Sequence, residues 1–257
     1  AKPLLEICHK VLGPSQKLIF AQYSNKKQYN VLCAYNKVHI IGVFAADIKQ
    51  ELGLFPTDDR TNTLYGEHEG IKIQLHECKK FCKLLHRGGP GYVEMLYASE
   101  DIYSTPEWQD IVKSRKQYIT PTFMEQLLQV GKANLKFLQQ LHSKKKKKKP
   151  VEISPEIIRD KFARGLLAFE KTDYMAKHMD IMLCSSNEKT LKALSTESLS
   201  KMETSEMQKI LEEQYTLLEK YSHNWTFLDK SVDTRAISAA WLQEVRESHL
   251  QKIIQQG

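Results

Sequence analysis

"YNKVHIIGVFAAD", residues 35–47, decides how the first half of the chain is read. Its β-branched and aromatic run predicts a buried strand over 37–46. Asp47 follows as the expected N-cap of a helix that Gly53 stops. Side chains alternate along a strand, so Lys37 and His39 are expected on one face.

Working outward, "KLIFAQYS" (17–24) reads as a strand, and "QYNVLCAY" (28–35) as a second, shorter one. Leu4, Leu5, Cys8, Val11 and Leu12 form one face of a helix over 3–12, which Gly13-Pro14 ends. "FPTDDRTNTLYGEHEG" (55–70) reads as a turn-rich loop. "IKIQLHE" (71–77) alternates like a strand with one buried face. "ECKKFCKLLHRG" follows as a helix with a stripe of Cys78, Phe81, Cys82, Leu84 and Leu85; Gly88-Gly89-Pro90 terminates it. "GYVEMLYA" (91–98) is a further helix or a short strand. Beyond this the pattern is helical. Thr105-Pro106 and Ser154-Pro155 each pair an N-cap residue with proline at the first helical position. Long amphipathic helices are expected over 121–143, 154–183, 204–225 and 233–256. The expected fold class is α+β, with a mixed α/β domain over 1–104 and a helical domain over 105–257.

The net charge is +7, and six of those charges are the run Lys144–Lys149. Without that run the balance is +1, seven less six, so the basicity is local. Adjacent like charges repel, so 143–150 reads as a solvated lysine-rich loop, a nuclear import signal or a phosphate-attracting patch. The five cysteines have no regular spacing, which points to a reducing compartment, cytoplasm or nucleus. Cys78 and Cys82, with His76 and His86 nearby, are either metal ligands or small semi-buried side chains. No run of eighteen apolar residues occurs, so no membrane span is expected. "AKPLLEICHKVLG", with Glu6, His9 and Lys10, does not read as a secretory leader.

"IIGVFAADIKQELGL", then "IKIQLHECKKFCKLLHRGGPGYVEMLYA", then "DYMAKHMDIML" (173–183) and "NWTFLDKSVDTRAISAAWLQEVRESH" follow one another in an order that resembles the RNA-repair-pathway nucleotidyltransferases, a branch of the DNA polymerase β superfamily. The resemblance is loose and collinear over nearly the whole chain. It implies a nucleotidyltransferase-like mixed sheet followed by helices, with Mg2+ and a nucleoside triphosphate as ligands. It also implies a Gly-Ser turn after the first strand, an Asp-x-Asp pair on the next strand and a third acid on a later one. These acids would hold two metals against the triphosphate.

This chain departs from that pattern at each place. Tyr23-Ser24 stands at the turn, where a side chain obstructs close backbone approach to a phosphate. Lys37 and His39 stand at the acid pair. Lys72 or Gln74 stands at the third acid. An ammonium cannot ligate magnesium, and imidazole is a poor ligand for it. The expectation is therefore a catalytically degenerate protein with no metal, binding RNA, a nucleotide or a protein partner. Under the resemblance Ser24, Lys177 and His178 are the candidate phosphate contacts; Asp173, Lys177 and Asp180 share a helix face. The alternative is an active nucleotidyltransferase, acting on an RNA end or a protein, with acids elsewhere. Asp47, Asp58, Asp59, Glu67, Glu69 and Glu77 are the candidates, although Asp47 and Glu77 suit helix starts and Asp58-Asp59 suit a turn. A third reading is a helical interaction domain, which predicts no strands at 17–24, 37–46 and 71–76. The aromatics of "SRKQYITPTF", and Trp108, Trp225 and Trp241, read as packing anchors.

Overall fold

A computed structural model describes residues 2–23, 39–47, 62–98, 101–144, 153–182, 190, 193, 195–222 and 232–256. Helix α1 (Lys2–Val11) leads into strands β1 (Lys17–Tyr23), β2 (His39–Ala45), β3 (Thr63–His68) and β4 (Ile71–Glu77). Helices α2 (Cys78–His86) and α3 (Pro90–Met95) follow, then β5 (Asp101–Ser104), α4 (Pro106–Lys113) and a 3-10 turn at Arg115–Tyr118. Next come α5 (Pro121–Lys144), α6 (Pro155–His178), α7 (Thr196–Lys201), α8 (Thr204–Ser222) and α9 (Thr234–Gln256). The chain is mixed α+β, as its patterning predicts. No helix among the described residues is long and apolar enough to cross a membrane.

The five strands form one mixed sheet in the order β3-β4-β2-β1-β5. Only β2 and β4 run parallel; the other neighbouring pairs are antiparallel. Two strands depart from the sequence reading. Residues 63–68, expected within a loop, form β3, which Glu69 and Gly70 join to β4. Both turn residues have positive φ, 51° and 77°. That is the pair a two-residue hairpin turn requires, because its twist then matches the strands. Residues 101–104 form β5, just ahead of the helical part that the pattern predicts. The expected helix after Asp47 and the expected strand over 28–35 lie outside the described residues.

The described residues up to Tyr118 and from Val232 onward pack as one unit, and those of 119–222 as a second. The pattern expects a boundary at 104/105; α4 and α9 pack with the sheet. The reason is a ring of aromatic contacts. Trp108 of α4 stacks on Phe20 of β1 at 3.9 Å between centroids, with planes 10° apart. Phe81 of α2 meets Trp108 at 5.4 Å, and Trp241 of α9 meets both Phe81 and Trp108. Trp241 Nε1 donates to the Glu107 carbonyl at 2.6 Å. The Glu107 carboxylate accepts from Lys17 Nζ at 2.6 Å and from the Ser248 hydroxyl. Burial alone would raise the Glu107 pKa; these hydrogen bonds, with its own amide and Thr105, prevail and hold it at about 2.

The opposite sheet face is apolar. Leu18, Ala21, Ile40, Phe44, Ile73 and Leu75 pack there with Ile7 and Cys8 of α1. In the second unit, Leu135, Leu138, Phe162, Leu166, Phe169, Leu211 and Leu218 join α5, α6 and α8 in one core.

Gly42 marks the closest approach within the sheet. A Cβ there would overlap the Phe20 carbonyl oxygen and stand 2.9 Å from Leu75 Cδ2. Both neighbours are held by the sheet, so Gly42→Ala is expected to cost about 2–3 kcal/mol in urea unfolding. A midpoint unchanged from wild type would contradict this packing.

Candidate functional site

The site is the sheet face away from α1. Cross-strand partners point to the same side, so register defines rows across the sheet. One row runs Glu67–Lys72–His39 from β3 through β4 to β2. The next runs Tyr65–Gln74–Ile41–Gln22 and reaches β1. A third runs Thr63–His76–Val43–Phe20. The rows grade from charged to apolar along the strands. The aromatic ring of Phe20, Trp108, Phe81 and Trp241 sits at the apolar end. At the other end Lys72, Glu67 and Tyr65 are exposed, and Tyr65 is 74% exposed.

His76 stands at the border between the two regimes. It is 2% exposed and lies 5.2 Å from the Tyr92 ring, edge to face. Its Nδ1 is 3.1 Å from Thr63 Oγ1, and its Nε2 is 3.2 Å from Gln74 Nε2 and 3.5 Å from the Tyr92 hydroxyl. An amide nitrogen only donates, so His76 Nε2 accepts and Nδ1 carries the proton toward Thr63. Burial and then the nearby Lys80 charge lower the His76 pKa to about 4, so the ring is neutral near pH 7. Burial and the neighbouring Tyr65 raise the Tyr92 pKa.

The expected site residues divide as follows. His39, Lys72 and Gln74 occupy one face over two neighbouring rows of β2 and β4. Ser24, Lys37, Asp58 and Asp59 lie outside the described residues. Asp47 follows the far end of β2 from His39, eight residues on and roughly 26 Å away along an extended chain. Glu77 is the N-cap of α2 and accepts from the Lys79 and Lys80 amides at 2.7 and 3.2 Å. Glu69 is a turn residue. Of the candidate acids among the described residues, Glu67 alone shares the face with His39 and Gln74.

Lys177 and His178 lie in the second unit, on the last turn of α6. Lys177 pairs with Asp173 at 2.6 Å, and the His178 ring lies 4.4 Å from the Tyr174 ring. The helix expected to continue to 183 ends at His178, where Met179 takes a left-handed conformation. Asp180 is therefore past the helix end rather than on the Asp173–Lys177 face.

The cysteine–histidine cluster resolves as packing. Cys82 Sγ donates to the Ser238 carbonyl at 3.6 Å, and burial pushes its thiol up to about 12. His86 has Thr234 Oγ1 on Nδ1 and Arg235 Nε on Nε2, both at 2.9 Å. Among the described residues no group of three or more His, Cys, Asp and Glu is placed to hold a metal ion. Trp108, Trp241, Tyr118 and Phe123 are core residues, in line with their reading as packing anchors. Tyr65 and Tyr92 escape sequence reasoning. Tyr65 falls in a stretch that reads as loop, and "TLYGEHEGIKIQLHE" shows its hairpin only if Glu-Gly is admitted as a two-residue turn.

No protein-family model and no curated protein matches this chain. The site is thus read from its residues. Two magnesium ions need on the order of six oxygen ligands each, several of them carboxylates. Among the described residues, His39, Lys72, Gln74 and one Glu67 do not fit that requirement.

The neutral His76 gives a pH signature. Its folded pKa lies below the ordinary value of 6.5, so the unfolded state takes up the proton first. The stability it contributes is complete above pH 6.5 and is lost as pH falls from 6.5 through 4. The loss approaches about 3 kcal/mol. His76→Gln keeps a donor and an acceptor without titrating. The unfolding free energy of wild type, measured relative to this variant, should fall by that amount across the window. Parallel stability curves would contradict the assignment.

Proposed function

We propose that this chain is a nucleotidyltransferase-like protein that no longer transfers nucleotides and serves as a binding module for RNA. The observation that carries the reading is the row pair on β2 and β4. His39 stands beside Lys72, and Gln74 follows, where the resemblance calls for carboxylates. Reversing charge at the ends of two adjacent parallel strands removes the attraction for a hard dication. It leaves Lys72, with Glu67 opposite it on β3, beside His39 and the Gln74 amide as polar partners for a ligand. Mixed strand pairing with a parallel β2–β4 centre is compatible with the nucleotidyltransferase-like layout. The lysine run, of which Lys145–Lys149 lie outside the described residues, would add non-specific attraction for a phosphate backbone.

The active alternative requires carboxylates brought to this face by Asp58, Asp59 or others. Calorimetric titration with ATP, CTP, GTP and UTP, each with and without Mg2+ or Mn2+, separates the two readings. The expected outcome is no metal-dependent increase in nucleotide affinity. Metal-dependent binding, with label incorporated into RNA and lost in Asp58→Asn or Asp59→Asn, would establish the enzyme instead.

A further inference from the structure

We propose that the open part of the sheet face binds single-stranded RNA through Tyr65, with Glu67 distinguishing ribose from deoxyribose. This rests on the binding-module reading above and names what it binds and how. A tyrosine on a half-covered sheet normally buries its ring. Here the residue is 74% exposed, while Phe20, in the third row, is fully covered by Trp108. The aromatic cover therefore stops short of Tyr65.

Its surroundings suit the parts of a nucleotide. The cross-strand partner is Gln74, whose amide donates one N–H to His76 and keeps its second N–H and its carbonyl oxygen for a base edge. Lys72 lies in the adjacent row, exposed, as a phosphate contact, and His39 is its partner on β2. An aromatic ring beside lysine and amide groups is the combination that holds unpaired bases; stacking works for any base and requires it to be unstacked from a duplex.

Glu67 decides the sugar. It is two residues from Tyr65 on the same strand, on the same face and roughly 7 Å along it. Glu67 stands opposite Lys72 in register, so a phosphate that draws Lys72 to itself leaves the Glu67 carboxylate in need of a hydrogen-bond donor. A ribose 2′-hydroxyl supplies that donor and deoxyribose does not.

The test is fluorescence anisotropy with 5′-labelled ten-nucleotide oligoadenylate RNA, the same sequence as DNA, and a duplex RNA. Wild type is compared with Tyr65→Ala, Tyr65→Phe, Glu67→Gln and Lys72→Ala. Circular dichroism checks that each variant keeps its fold, which the exposure of all three side chains favours. Every variant retains the lysine run, so differences report on the sheet. Tyr65→Ala should weaken single-stranded RNA binding about tenfold or more, while Tyr65→Phe stays near wild type. Glu67→Gln should bring RNA and DNA affinities together, and Lys72→Ala should reduce the salt slope by about 0.7. If wild type binds the RNA and Tyr65→Ala binds equally well, this inference is overturned while the binding-module reading stands. If wild type binds no single-stranded RNA, both fall.

Discussion

Trp108 lies flat against Phe20, and the rest of the sheet unit is arranged around that contact. The stack covers the β1 end of one face and gives Phe81 and Trp241 a surface to meet. Residues far apart in sequence thereby become one core. The hydrogen bond from Trp241 to the Glu107 carbonyl, and the Glu107 pairing with Lys17, add directional bonds that hold α4 and α9 in place. Truncating such a fully packed indole typically costs about 3–5 kcal/mol, comparable with a third or more of a domain's net stability.

The same cover has an edge, and the edge sets the chemistry of the site. His76 sits there with its ring nitrogens committed to Thr63 and Gln74, flanked by Tyr92 on the covered side. Beyond it the strands carry His39, Lys72, Gln74, Glu67 and Tyr65. A face that changes from aromatic to polar within two rows provides a rigid floor for a ligand. Strands hold such side chains more firmly than loops would. The opposite face, packed on α1, leaves no comparable polar surface among the described residues.

Much of this is legible in the sequence. The β-branched run marks β2, alternation marks β4, and the Glu77 start with its Cys78–Leu85 stripe marks α2. Ser-Pro and Thr-Pro mark two helix starts because a hydroxyl cap and a proline satisfy different needs of the first turn. Strand alternation also places each candidate residue on a side of its own strand. Register is not legible, since it depends on which strands meet. That His39 faces Lys72 comes only from the β2–β4 pairing. β3 is hidden because Tyr65, Glu67 and Gly66 leave it without an apolar alternation, and β5 because four residues are too few to show a period. The assignment of α9 to the sheet unit rests on Trp241 reaching Glu107 across 134 positions, which no local pattern encodes.

The central claim is that the floor formed by His39, Lys72 and Gln74 repels or ignores hard dications. The most direct measurement is backbone-amide NMR of the nucleotide-loaded protein during Mn2+ titration, read as distance-dependent line broadening. The account predicts no broadening centred on the first residues of β2 and β4 at Mn2+ concentrations that saturate a two-metal enzyme. Sharp loss of the His39, Lys72 and Gln74 signals at stoichiometric Mn2+ would contradict it.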